Sequence, residues 1–271
     1  MKILFNSLGC DKNLVDSEVM LKLLEKKGYQ FTDDETEADI IIINTCCFIG
    51  DAKEESVNTI LEMAEYRKSG SCKALIVTGC LAQRYQKEIL DEIEEVDAVL
   101  GTATYDAIAE TVEKALEGRK ELRFEDIDRL VPEQGGRVLT TGGHYAYLKI
   151  AEGCDKHCTY CIIPRLRGHF RSVPEERLLA EAEELAEQGV KELILVAQET
   201  TVYGVDLYGE KRLPQLLKKL AGIPGIRWIR VQYCYPEEIT EELIQIIKEE
   251  PKICHYLDLP IQHASDRILK R

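Results

Sequence analysis

Short blocks of apolar, β-branched residues alternate along this chain with longer stretches whose apolar positions recur every three or four residues. In the first half KILFNSL, DIIIINTC, KALIVTGC and DAVLG read as strands. The intervening NLVDSEVMLKLLEKKG, AKEESVNTILEMAEYRKSG, QRYQKEILDEIEEV and YDAIAETVEKALEG read as helices. Strands that are apolar throughout are buried on both faces, so the pattern predicts an open, doubly wound parallel α/β sheet. Residues 119–142 break the rhythm with charge, Pro and Gly and are expected to form a linker with one short strand. The alternation then resumes, with HYAYLKIAEGC, KELILVA, IRWIRVQY and HYLDLP as strands. PEERLLAEAEELAEQG, RLPQLLKKLAG and TEELIQIIKEE are the helices between them. The expected organisation is an α/β domain over 1–118, the linker over 119–142, and a second βα series over 143–271. That series stops as another helix begins (SDRILKR), so it reads as cut within a domain.

Composition narrows the class. With 45% apolar and 31% charged residues, the chain has ample core for a globular protein. Its longest apolar run, DIIIINTCCFI, is too short to span a bilayer. The first residues, MKILFNSLGC, lack the apolar segment and cleavage site of a secretory signal. A cytoplasmic location and no membrane partner are therefore expected. The net charge is −14 and falls mostly on the first half. This argues against broad nucleic-acid binding and favours a basic or neutral partner, although acidic helix faces also serve solubility alone.

Ten cysteines without an export signal point to metal or redox chemistry. Cys47, Cys72, Cys234 and Cys254 lie in or beside apolar text and are expected to be ordinary buried thiols. Cys10, Cys46 and Cys80 each follow a predicted strand directly. The carboxyl ends of parallel strands share one edge, where ligands bind, so these three thiols are expected to converge. Chance burial at strand ends is the alternative. Cys154, Cys158 and Cys161 fall within eight residues as C-x3-C-x2-C. Such a loop can hold three corners of a cubane iron–sulfur cluster and leave one iron open. A zinc site completed by His157 or His169 is the rival reading.

The loop EGCDKHCTYCIIPRLRG resembles the signature of the radical SAM superfamily. The second series would then be a partial, truncated (βα) radical SAM barrel. A cysteine-bearing α/β domain ahead of that loop resembles the methylthiotransferases, over nearly the whole chain. The resemblance implies two 4Fe-4S clusters, one on Cys154, Cys158 and Cys161 and one on Cys10, Cys46 and Cys80. It also implies S-adenosylmethionine, which yields a 5′-deoxyadenosyl radical and a methyl group, and partners that donate electrons and sulfur. SLGCDKNLVDSE, AEGCDKHCTYCIIPRLRGHFRS and LDLPIQHASDRILKR resemble the branch that modifies the β-carbon of an aspartyl residue in a small-subunit ribosomal protein. The tRNA-modifying branch usually reads Gln-Met-Asn after the first cysteine, where this chain has Asp11, Lys12 and Asn13, so tRNA is the disfavoured substrate. Members of the family usually continue into the end of the barrel and a small all-β domain. An iron–sulfur or zinc protein without radical chemistry is the reading from another class.

The resemblance also suggests cofactor contacts. Tyr160 resembles the aromatic near the adenine, with core packing as the alternative. Gln198 and Glu199 stand where the family contacts the methionine amino group, or merely open a loop. Gln262 and His263 share that placement. Arg165, Arg167 and Arg171 would bind carboxylates or form a solvated strip. Asp16, Ser17 and Glu18 are expected to begin the first helix as caps.

Overall fold

Alternate residues of the two central strands feed two separate cores. In the computed structural model, which describes residues 1–69 and 72–270, β3 (Ile40–Thr45) and β4 (Ala74–Gly79) are buried at every position. Ile41, Ile43, Leu75 and Val77 pack on one side with Ile60 and Met63, and Ile40, Ile42, Ala74 and Ile76 on the other with Met20 and Leu24. Successive side chains of a strand point to opposite faces, so a continuous apolar run needs cover on both. The remaining strands are β1 (Lys2–Ser7), β2 (Gln30–Phe31), β5 (Ala98–Leu100) and β6 (Glu121–Arg123). All pairings are parallel, in the order β2-β1-β3-β4-β5-β6. Helices α1 (Asp11–Lys26) and α5 (Ile108–Leu116) line one core, and α2 (Gly50–Ser69), α3 (Cys80–Tyr85) and α4 (Lys87–Glu92) the other.

Gly70 and Arg271, where two expected segments end, lie outside the described residues. The helix expected over QRYQKEILDEIEEV is instead the pair α3 and α4, because Gln86 takes a left-handed backbone (φ 41°) that a helix cannot continue through. Residues 119–138 are built onto the sheet rather than left loose. Here β6 extends the edge, the Val138 amide donates to the Glu18 carbonyl at 3.0 Å, and Arg137 pairs with Glu18, both side chains buried.

Compactness divides the chain into a unit of Met1–Val138 with Asp155–His169, and a unit of Leu139–Cys154 with residues from Phe170 onward. The short helix α6 (Ile163–Arg167) belongs to the first. The second unit has a parallel sheet of β7 (Tyr145–Lys149), β10 (Glu192–Val196) and β11 (Trp228–Val231), in the order β11-β10-β7. An antiparallel pair, β8 (Ala151–Glu152) and β9 (Arg171–Ser172), stands apart from that sheet. Helices α7 (Glu175–Glu187), α8 (Val205–Tyr208), α9 (Leu213–Ala221), α10 (Glu241–Glu249) and α11 (Asp266–Leu269) complete the unit. This is the start of a βα barrel. The strand expected at HYLDLP is absent: beyond one bridge between Ile229 and Ile253, the segment is tied to its neighbour by bonds at Asp258, whose carbonyl accepts from the Cys234 amide and whose carboxylate accepts from the Tyr233 amide. A side chain that takes a ladder bond interrupts the ladder.

Tyr203 sits in the core of this second unit without exposure, and its hydroxyl donates to the Val173 carbonyl at 2.9 Å. Burial pushes its phenol far above the usual range. Tyr203→Phe leaves that carbonyl unsatisfied and is expected to cost about 1–3 kcal/mol. Circular dichroism melting should show a midpoint several degrees lower; no change would mean that water replaces the hydroxyl.

Candidate functional site

After β1 the chain crosses to β2 on one side, and after β2 it returns to β3 on the other, so the order reverses between β1 and β3. Open α/β sheets bind ligands at the carboxyl edge of such a switch point. Cys10 follows β1 and caps α1, Cys46 follows β3, and Cys80 follows β4 as the first residue of α3. Cys10 is exposed, whereas Cys46 and Cys80 are buried.

Two glycines bring these strand ends together. Gly9 and Gly79, each directly before a cysteine, have left-handed backbones (φ 95° and 92°). A Cβ on Gly9 would lie 2.7 Å from the Cys46 Cβ and 3.1 Å from its Sγ. Only glycine takes such a conformation without strain and admits so close a neighbour.

A buried polar network fixes the edge. Asn13 donates to the carbonyls of Leu8 at 3.0 Å and Thr45 at 2.9 Å, and the Cys80 Sγ lies 3.8 Å from its Oδ1. Asn44 donates to the Asn13 carbonyl at 3.0 Å and to the Ser17 Oγ at 2.9 Å. Ser56 accepts from the Cys46 amide at 3.0 Å and donates to the Cys46 carbonyl at 2.8 Å. Burial pushes the Cys80 thiol up to about 11, while the Arg167 guanidinium beside it pulls the other way and the fields of Cys10 and Cys46 add to the rise.

Asp16, Ser17 and Glu18 are not caps. Helix α1 begins at Asp11, and the three lie inside it, buried, facing Arg167, Asn44 and Arg137. Their polarity suggested a helix end because sequence cannot show that a partner chain segment meets the middle of a helix. Asn13, Asn44, Ser56, Gly9 and Gly79 were not anticipated as parts of a site. The repeated Gly-Cys after a strand was the available signal.

In the second cysteine group, Cys154 follows β8, and all three thiols are half-buried. The Cys161 amide donates to the Cys158 carbonyl at 3.0 Å, which closes a turn, and the Ile163 amide points at the Cys161 Sγ at 3.5 Å. Tyr160 is 72% exposed, which removes the core-packing alternative. His157 is exposed, and the His169 ring pairs with Asp155 at 2.9 Å. Among the described residues no group of three or more His, Cys, Asp or Glu side chains is arranged to hold a metal ion. The donor chemistry nonetheless fits an iron–sulfur cluster: each group offers three thiols, and of the harder groups in the second motif His157 is exposed and Asp155 pairs with the His169 ring.

Gln198 and Glu199 diverge. Gln198 donates to the Glu152 carboxylate at 2.7 Å, while Glu199 is buried and accepts from the Thr201 hydroxyl. Gln262 bonds the Tyr235 hydroxyl at 2.9 Å, and the His263 Nδ1 accepts from the Ser265 amide. Arg165 is exposed and Arg171 half-buried, so only Arg167 of the basic strip is buried. Cys47, Cys72 and Cys234 are buried and Cys254 half-buried, and burial raises the pKa of each, which keeps them protonated.

Residues 2–101 match the family described as "Uncharacterized protein family UPF0004", and residues 148–271 match the "Radical SAM superfamily". The chain is 70% identical over 271 residues to the ribosomal protein uS12 methylthiotransferase RimO of Lachnoclostridium phytofermentans, covering 100% of this chain and 62% of that protein. This chain joins a UPF0004 domain to a radical SAM domain. The protein of the same name from Clostridium tetani is 54% identical, with 98% of this chain and 59% of the relative covered. The chain thus spans about three fifths of the length of these methylthiotransferases. Among solved structures, the radical S-adenosylmethionine methyltransferase TsrM from Kitasatospora setae matches with a TM-score of 0.65 at 13% identity, covering 99% of this chain and 60% of that one. The cobalamin-dependent radical enzyme OxsB matches with a TM-score of 0.59, also at 13% identity, over 99% and 45%. These two share the fold. The match to the radical SAM superfamily implies one 4Fe-4S cluster and S-adenosylmethionine. Among the described residues no helix is long and apolar enough to cross a membrane.

Proposed function

We propose that this chain carries the catalytic centres of a methylthiotransferase that modifies the β-carbon of an aspartyl residue in small-subunit ribosomal protein uS12. The observation that supports the reading is the place of Cys10, Cys46 and Cys80 directly after β1, β3 and β4, at the carboxyl edge of the first sheet, in a chain that also holds C-x3-C-x2-C. Cys154, Cys158 and Cys161 would hold one 4Fe-4S cluster, and Cys10, Cys46 and Cys80 a second. When bound, the clusters and S-adenosylmethionine supply one-electron activation of a C–H bond, sulfur and a methyl group.

The chain's own residues position these groups. Gly9 and Gly79 let the strand ends close up, and Asn13 and Ser56 fix the backbone around Cys10, Cys46 and Cys80. Gln198 would orient the cofactor's amino group, and exposed Tyr160 would cover its adenine. An electron donor protein and a sulfur donor complete the system, which would operate in the cytoplasm. Residues 1–118 and 143–271 are the corresponding functional domains, joined by 119–142.

Anaerobic incubation with S-adenosylmethionine, a low-potential reductant and uS12 is expected to add one methylthio group to one aspartyl residue, read by peptide mass spectrometry. Triple Ala replacement of Cys154, Cys158 and Cys161 should abolish this and the release of 5′-deoxyadenosine. Replacement of Cys10, Cys46 and Cys80 should abolish the methylthio group but leave the release of 5′-deoxyadenosine. Methylthio groups on tRNA adenosine with none on protein would overturn the substrate assignment.

A further inference from the structure

We propose that Arg167 is a positioning residue of the Cys10, Cys46 and Cys80 centre, where it supplies the fixed positive charge that sets how readily a cluster there accepts an electron. The proposal rests on the two-cluster reading above. Arg167 lies six residues after Cys161, at the end of α6 in the first unit, and is only 4% exposed. Its Nη1 donates to the Asp16 Oδ2 at 2.7 Å and its Nη2 to the Asn13 Oδ1. The same Asn13 oxygen faces the Cys80 Sγ, and the Asn13 amide nitrogen holds the carbonyls that precede Cys10 and Cys46. One buried guanidinium is therefore joined through one side chain to all three strand ends.

Its seat is held from behind. Leu166 packs in the core that contains Cys80 and Leu81, and its carbonyl accepts from the Thr102 hydroxyl at 2.7 Å. A buried ion pair with Asp16 alone would be a purely structural device, and such pairs often contribute little net stability. Placing the guanidinium on the same Asn13 oxygen that faces the Cys80 thiol adds something that an isolated pair does not need. A 4Fe-4S cluster held by three thiolates would carry net negative charge, and reduction would make it more negative. A buried positive charge beside the two buried cysteines would favour the reduced form. Asp16 acts in the opposite sense and tempers it.

The test uses the full chain with Cys154, Cys158 and Cys161 replaced by Ala, reconstituted anaerobically, so that only the other centre reports. The readouts are iron content and the midpoint of an EPR-monitored redox titration. Arg167→Met should make the one-electron reduction constant at least tenfold less favourable, a shift of about 59 mV to lower potential. Arg167→Lys, which keeps the charge, should recover most of that shift. Asp16→Asn should shift the potential the other way. An Arg167→Met protein with full iron content and an unmoved potential would overturn the inference, as would Asp16→Asn moving in the same direction. Should Arg167→Met hold no cluster, the opposite shift in Asp16→Asn alone supports the role, and no shift there refutes it. A parent protein without iron at Cys10, Cys46 and Cys80 would overturn the two-cluster reading and this inference with it. About four irons with potentials insensitive to all three variants would overturn this inference alone.

Discussion

Replacing Cys10, Cys46 and Cys80 together by Ala is expected to halve the iron of the anaerobically reconstituted chain, from about eight atoms to about four, with sulfide falling in parallel. Replacing Cys154, Cys158 and Cys161 should do the same, and the six-fold variant should bind none. The expectation rests on each group bringing three thiols of its own. The first group sits at the edge of a sheet whose strands are held by their own two cores, and the second on a loop far along the chain. Loss of one group's thiols removes no core side chain of the other, apart from the small contribution of buried Cys46 and Cys80 themselves. Mössbauer spectra of the variants would show whether the remaining iron is cubane. Four irons that vanish only with Cys154, Cys158 and Cys161 would leave a one-cluster enzyme and remove sulfur insertion. Zinc in place of iron would sink the radical chemistry altogether.

The second large effect is expected from a single methyl group. In Gly79→Ala the new Cβ would stand 2.5 Å from the Thr45 carbonyl oxygen and 2.7 Å from the Thr45 amide nitrogen, and closer still to the Asn44 Oδ1. Two of these are backbone atoms of β3, which is paired with β4 on one side and β1 on the other and cannot give way. Gly28 offers the control. Its backbone is equally left-handed (φ 86°), but a Cβ there would meet nothing within 4 Å. Gly28→Ala should therefore cost about 1–2 kcal/mol from conformation alone. Gly79→Ala adds overpacking of about 1–3 kcal/mol to the same conformational term. Thermal unfolding of both variants measures the difference, and iron content shows whether the Cys80 corner survives. Equal midpoints for the two would mean that β3 yields, contrary to its packing.

Much of this was legible in the residues. The apolar runs of β1, β3 and β4 could be buried only on both faces, and a helix follows each strand, so a parallel doubly wound sheet was the one arrangement that covered them. That a cysteine closes each of those strands was enough to place three thiols on one edge. The C-x3-C-x2-C loop grouped three thiols by spacing, and its resemblance to the radical SAM signature suggested their chemistry. These are local properties: period, length and adjacency survive in one dimension.

Tertiary structure decided what depends on a partner distant in sequence. Nothing in NLVDSE distinguishes a capping carboxylate from one aimed at an arginine 151 positions later, yet Asp16 and Arg167 meet in the interior. Nor does QRYQKE announce that Gln86 will turn left-handed and split a helix, or HYLDLP that Asp258 will spend its groups on β11's neighbours instead of a ladder. Buried polar groups must find partners wherever the fold brings them, and the free energy of that pairing is set by geometry and not by chain neighbours. The sequence by itself determined the sheet, the two cysteine groups and the family they resemble. Only the packed structure decided which of the polar residues around Cys10, Cys46 and Cys80 are tied to that centre, because desolvation makes an interior charge seek its partner across the whole length of the chain.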